Sequence, residues 1–196
     1  MSNHKVITSA PKKRTKVITK ELHSHKNVIT KELQGQTTKV KALRLCFILF
    51  LVFTVGYIGS GFITPDALKW YDSLILSSFT PPHHWFGIAW ASLYILMAFS
   101  VWMIWGKTSP RPFVLQLAFN LLWPFLFFHL QSPIMGLIDI LLMLVFIVIT
   151  IWEFSKISTV SAGLMIPVLL WSCFAFYLNL ITVLYNTQIG VWLGLI

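Results

Sequence analysis

The chain has 196 residues, 57% of them hydrophobic and only 11% charged, which is too apolar for an ordinary soluble domain of this length. Its net charge of +9 is segregated: residues 1–44 hold 11 of the 15 Lys and Arg and 2 of the 6 acids, while residues 45–196 hold 4 of each sign. The neutral body has no basic stripe, which sets nucleic-acid binding aside, and the sequence shows no phosphate loop, no dinucleotide fingerprint, no metal-ligand spacing and no Ser/His/Asp spacing.

The basic segment, 1–42, repeats at 11 residues: Lys5-Val6-Ile7-Thr8, Lys16-Val17-Ile18-Thr19-Lys20-Glu21-Leu22, and Asn27-Val28-Ile29-Thr30-Lys31-Glu32-Leu33. Eleven residues make about three α-helical turns. On a helix, Val17, Ile18, Leu22, Val28, Ile29 and Leu33 would fall within about 160° of arc, giving a basic helix suited to an anionic leaflet. Val-Ile-Thr is poor helix material and Pro11 interrupts the first copy, so a flexible, solvated tail is expected. The acid-free first 20 residues weakly resemble an organelle-targeting segment.

Apolar runs of ~20 residues can cross the hydrocarbon core as helices. Five occur, at about 43–63, 84–106, 112–130, 134–153 and 163–185, so the expected fold is an all-α membrane protein, a five-helix bundle over 43–186 with a short apolar C-terminal tail, 187–196. The first run begins near residue 42 and is long enough to span, so a removable signal peptide is not expected. The tail and the loops at 107–111 and 154–162 carry 14 Lys and Arg, against Lys69 alone on the other side. The N-terminus is therefore expected in the cytosol. Cys46 and Cys173 lie in apolar segments and read as buried thiols.

The loop at 64–83 is long for so compact a chain. Thr64-Pro65-Asp66 is a helix start, with a capping hydroxyl, proline at the first helical position and an acid at the positive end. A short interfacial helix from Pro65 to about Leu74 would carry Trp70 and Tyr71, and Thr80-Pro81-Pro82 repeats the device to start the second span. The loop is expected to fold over the bundle mouth as a lid.

Within the spans, Trp90, Tyr94 and Met97 share one stripe of the second helix; Asn120, Trp123 and Phe127 share one of the third; Trp171, Ala175 and Leu178 share one of the fifth. Pro124 has no N–H and frees the Asn120 carbonyl. A flat-walled pocket lined by Trp90, Trp123 and Trp171 would suit a large planar ligand. Helix-on-helix packing of the same groups needs no ligand, and spacing alone does not decide between the two. Asn179 reads as inter-helix glue, and Gly56 with Ser60 as a close-packing pair. Asp139 would lie ~9 Å deep at 1.5 Å per residue, within reach of interfacial water, and is a functional suspect as an intramembrane acid. His83 and His84 open the second span and are candidate haem-iron ligands; adjacent helical residues point about 100° apart, so at most one can face a pocket.

These residues together resemble the translocator protein / tryptophan-rich sensory protein (TspO/MBR) family over about residues 50–186. The resemblance is carried by Gly56 to Thr64, Trp70-Tyr71, Thr80-Pro81-Pro82, Phe86-Gly87, Trp90 with Leu93-Tyr94 and Met97, Gln116-Leu117 with Asn120 and Trp123, Phe127-Phe128, Pro167, Trp171, Phe174-Ala175, Tyr177-Leu178-Asn179 and Asn186. It implies a homodimeric five-helix bundle whose first loop covers a pocket for porphyrins, haem and other planar aromatics. Trp90, Asn120, Trp123 and Trp171 would line the pocket, with Tyr71 and Pro82 in the lid and Tyr94 and Ala175 beside them. No cofactor or metal is required. A receptor or carrier is expected, in contact with membrane lipids. Rival readings are a light- and oxygen-dependent protoporphyrin-degrading enzyme and a lipid or sterol carrier. The chain departs from the family pattern at Leu76-Ser77, at Phe79 and at Val168, and no Lys or Arg follows Tyr185, so the sterol motif is absent. The membrane itself (bacterial envelope, mitochondrial outer membrane or secretory pathway) is not specified by the sequence.

Overall fold

The computed structural model describes residues 11–188 and 190, and among them every regular element is helical. The helices are α1 (Pro11–Ser60), α2 (Pro65–Asp72), α3 (His83–Met103), α4 (Arg111–Pro124, continued by a π-helical turn, Phe125–His129), α5 (Pro133–Ser155), α6 (Thr159–Leu164) and α7 (Ile166–Asn186). Five spans are long and apolar enough to cross a membrane: Gln34–Ser60, His83–Met103, Arg111–His129, Pro133–Ser155 and Thr159–Asn186.

The chain divides into two compact units, 1–44 and 45–196. In the first, residues from Pro11 onward are helical, as an 11-residue repeat permits. Lys, Gln, Glu and Leu are good helix formers, and threonine hydroxyls fold back onto the preceding turn, Thr30 on the Lys26 carbonyl at 2.8 Å and Thr38 on that of Gln34 at 2.9 Å. The apolar side chains of the repeats, and residues 1–10, lie outside the described residues, as does most of the C-terminal tail.

In the second unit, α5 sits at the centre, packed against α4, α6 and α7, while α3 contacts α6 and α7. Stacked rings join α4 to α5, Phe113 on Phe154 and Phe119 on Phe146. The α1 helix approaches its neighbours through small residues. A Cβ on Gly56 would lie 2.5 Å from the Tyr94 ring, and one on Gly59 would lie 3.4 Å from Pro124. Large apolar side chains such as Phe50, Ile88, Leu141 and Leu170 stay exposed, as a lipid-facing surface requires. Cys46 and Cys173 are exposed as well, not buried: they fall on outward faces of α1 and α7.

Three local sequence signals shape the frame. Pro124 cannot donate to the Asn120 carbonyl, and directly after it the ladder widens, with Leu130 N–H bonding the Phe125 carbonyl at 2.9 Å. Gln131 turns the chain at φ 50°, and Ser132 caps α5. The fifth span, expected as one helix from 163, is two helices that meet at Met165, with Pro167 in the first turn of α7. The second proline device behaves differently from the first. Thr64 caps α2 through the Ala67 N–H at 3.2 Å, whereas α3 starts at His83 behind Pro82 without a side-chain cap. Thr80 is three residues ahead of His83, too early to serve.

Candidate ligand cavity

The lid helix α2 is amphipathic. Ala67 and Tyr71 are buried, and the Tyr71 ring lies 5.9 Å from Phe127 and 5.6 Å from Phe128 on the π-helical turn. Trp70 meets Phe127 edge-on at 5.6 Å. Burial, and then the charge of Asp72, push the Tyr71 phenol up to about 12, so it stays neutral across the physiological range. The lid is tied down by two contacts at and just beyond the C-terminal end of α2. Asp72 Oδ1 lies 3.0 Å from His83 Nε2 at the start of α3. Asn186 at the end of α7 takes the Ile75 N–H on Oδ1 at 2.8 Å and donates Nδ2 to the Ile75 carbonyl at 2.9 Å. The family departures fall beside this clasp: Ser77 Oγ is 3.3 Å from the Tyr177 hydroxyl, and the Phe79 ring packs 6.5 Å from that of Tyr177.

Under the lid is a cavity of about 510 Å³, within the range typical of small-molecule sites. Its walls come from every large helix of the second unit. Phe53, Gly56 and Ser60 face it from α1; Phe86, Gly87, Trp90, Ala91 and Tyr94 from α3; Asn120 and Trp123 from α4; Ile140 and Met143 from α5; Ala175, Leu178, Asn179 and Thr182 from α7. The lid adds Leu68 and Tyr71, and His83 stands at its edge.

The polar atoms in the walls are largely spent on each other. Tyr94 Oη donates to Asn120 Oδ1 at 2.5 Å, and Asn120 Nδ2 points at Met143 Sδ at 3.8 Å. Trp123 Nε1 donates to Asn179 Oδ1 at 3.2 Å, and Asn179 Nδ2 donates to the Pro133 carbonyl at 2.7 Å. Asn179 therefore does the joining expected of it, between α4, α5 and α7. A ligand would meet ring faces and aliphatic groups, with few free donors.

Of the residues singled out from sequence, Trp90, Asn120, Trp123, Tyr71, Tyr94, Ala175 and His83 line this one cavity. Trp171, Pro82 and His84 do not. Trp171 shares the α7 stripe with Ala175, but its ring packs edge-on to Phe86 at 6.0 Å and against Phe174 at 5.6 Å. Pro82 and His84 are exposed, the latter ring 5.6 Å from Trp85. His129 lies between Phe62 and Phe125, outside the cavity. Asp139 was expected to reach interfacial water; it is 2% exposed, and neither carboxylate oxygen has a hydrogen-bond partner in the structure, because that face of α5 is covered by packed helices. Among the described residues no cluster of three or more His, Cys, Asp or Glu could hold a metal.

Several wall residues escaped the sequence reading. Ile140 and Met143 follow Gly136 at helical spacing on α5, and that glycine marks a close approach, since a Cβ there would lie 3.0 Å from Asn179 Oδ1 and from the Phe127 ring. The glycine was a usable signal for the face; nothing separated Ile140 or Met143 from ordinary core.

Comparison with known proteins places this architecture. Residues 47–184 match the TspO/MBR family. The chain is 36% identical over 145 residues to the Tryptophan-rich protein TspO of Chlorobaculum tepidum, covering 70% of this chain and 92% of that one. It is 34% identical over 144 residues to the Tryptophan-rich sensory protein of Cereibacter sphaeroides, covering 70% and 90%. It is 32% identical over 132 residues to the human Translocator protein, covering 63% and 78%. With five apolar helices of spanning length and a match across nearly all of its second unit, the chain is a multi-pass membrane protein that belongs to the TspO/MBR family.

Proposed function

We propose that this protein is a membrane-embedded receptor or carrier that binds porphyrins and haem. The observation that supports it most is the cavity of about 510 Å³ walled by Trp90, Trp123, Tyr94 and Phe86 beneath a tethered lid. Planar aromatic ligands gain most from ring faces and apolar walls. The internal pairing of Asn120 with Tyr94 and of Trp123 with Asn179 makes the site a poor host for a polar metabolite, because a polar ligand's own groups would be left unpaired. The ligand is held by burial, with Trp90 as the main stacking wall and α2 governing entry. The one-sided distribution of Lys and Arg supports an N-terminus on the cytosolic side.

Titration of the purified protein with protoporphyrin in the dark, read through tryptophan fluorescence and the porphyrin absorption band, tests this. The expected result is saturable quenching, with affinity reduced about tenfold in Trp90→Phe and retained in Trp171→Phe, whose ring lies outside the cavity. No saturable quenching would sink the assignment. Loss of the porphyrin band only under illumination, and only with a tryptophan present, would move the reading to a degrading enzyme.

A further inference from the structure

We infer that His83, held by Asp72 of the lid, is the anchor for a carboxylate at the edge of the ligand, so that the cavity selects planar apolar molecules bearing an acidic group over their neutral counterparts. This rests on the cavity reading above and names the chemistry of its ligand. Among all the residues that line the cavity, His83 alone can carry a positive charge; the walls contain no Lys, Arg, Asp or Glu. It stands at the lid end, where a planar body buried among Trp90, Trp123 and Tyr94 would direct its polar edge.

The ring is positioned by two contacts from α2. Its Nε2 is bonded to Asp72 Oδ1 at 3.0 Å, and its plane meets the Tyr71 ring edge-on at 5.5 Å. Those two residues are the titratable groups that the structure sets against it, with His84 next along its own helix. The other charged groups of the lid, Asp66 and Lys69, pair with each other at 2.9 Å. With Nε2 engaged, only Nδ1 remains, and it has no partner among the described residues. In the neutral ring with hydrogen on Nε2, Nδ1 is an acceptor and repels a carboxylate; in the imidazolium it is a donor and makes a charge-assisted bond. Asp72 balances that charge. The same atom is the one that an iron would need, so iron ligation and carboxylate anchoring exclude each other at this residue.

The two sides of His83 explain why the lid and the ligand would be coupled. A carboxylate on Nδ1 and Asp72 on Nε2 place one imidazolium between two acids, one from the ligand and one from the lid. Loss of either acid weakens the hold on the ring.

The test uses the full-length protein in micelles of fixed composition, with metal-free protoporphyrin and its dimethyl ester, which share a ring and differ in two carboxylates. Affinities are measured by tryptophan quenching at about pH 5.5 and about pH 8, below and above the range in which imidazole side chains in general change charge. The diacid should bind about tenfold more tightly at the lower pH, the strength of one charge-assisted bond, while the ester shows no such step. His83→Gln should abolish the step, and Asp72→Asn should shrink it. Equal behaviour of diacid and ester at both pH values, or a step that survives His83→Gln, overturns the anchor and leaves the cavity reading standing. Failure of both compounds to quench overturns the cavity reading and the anchor with it. The diacid–ester comparison in the unaltered protein decides the matter even where a variant does not fold.

Discussion

The two ends of the bundle use the same helices in opposite ways. Away from the lid, where α3 meets α6 and α4 meets α5, the interior is closed. Ser100 and Ser161 exchange bonds with each other's backbone carbonyls at 2.7 Å in both directions, and Ile104, Phe154 and Met165 are all at most 3% exposed. Toward the lid, the helices carry glycine, alanine and serine beside large rings, and the space left over is the cavity. The closed end shows what these helices do when nothing has to fit between them: Ser100 and Ser161 satisfy each other locally and rings stack. At the open end the polar groups also satisfy each other, but across the walls and not across the middle, which keeps the space apolar without filling it.

The contrast can be broken most forcefully from the closed end. Phe154 is 2% exposed and stacked on Phe113. Phe154→Ala should destabilise the protein by about 3 kcal/mol, since a void in a bundle that depends on packing has no neighbour to collapse into it. Unfolding in detergent would show this, and the folded fraction should keep its ligand affinity. A large affinity loss would mean that the two ends are not independent.

At the open end, Gly56→Ala tests whether the space is tuned or incidental. The added Cβ would sit 2.5 Å from the Tyr94 ring, which is fixed on its other side by the bond to Asn120. Overpacking of this kind costs about 1–3 kcal/mol, and porphyrin affinity should fall about tenfold as the Tyr94 wall shifts. Unchanged affinity would show that Tyr94 is not a wall the ligand touches. Smaller again is Ser100→Ala, which removes one side of the serine exchange. A loss of about 0.6–1 kcal/mol, typical of an intramembrane hydrogen bond, is expected in the same unfolding measurement, with no effect on binding.

The open end was more legible in the sequence than the closed one, and the reason is chemical. Thr64-Pro65-Asp66 is a local device that needs no partner to act, and it starts α2 where it was read. Pro124 likewise acts through its own missing N–H, though the π-helical turn that follows it was not foreseen. Trp90 and Trp123 stood out because each shares a helical stripe with a polar partner, Tyr94 or Asn120. Trp171 shares its stripe with Ala175, yet its ring turns toward Phe86. A stripe fixes where a Cβ points and leaves the χ angles of a long side chain open. The serine exchange was invisible, because Ser100 in an apolar run and Ser161 in the loop at 154–162, 61 residues apart, carry no common periodic mark. The access of Asp139 to water was misread for a related reason: distance along a helix measures how far a residue lies from the helix end, whereas contact with water depends on which neighbours cover it.

An effect of similar size is expected at the lid, and it separates lid from wall. Asn186 grips the peptide of Ile75 at both its N–H and its carbonyl, as a neighbouring strand would, and its Nδ2 also reaches the Thr182 carbonyl at 2.9 Å. Asn186→Ala removes the whole clasp while touching no ring in the cavity. Porphyrin release should quicken about fivefold, the equivalent of about 1 kcal/mol of lost hydrogen bonding, and the Ile75 amide should exchange hydrogen faster. Asn186→Asp keeps an acceptor for the Ile75 N–H and loses the donor to its carbonyl, so its release rate should fall between the two. If Asn186→Ala quickens exchange at Ile75 and leaves release unchanged, the lid opens without gating the ligand, and the cavity must be entered elsewhere. If release quickens in step with exchange, the clasp at Asn186 sets the residence time, and the walls set only the affinity of a ligand already inside.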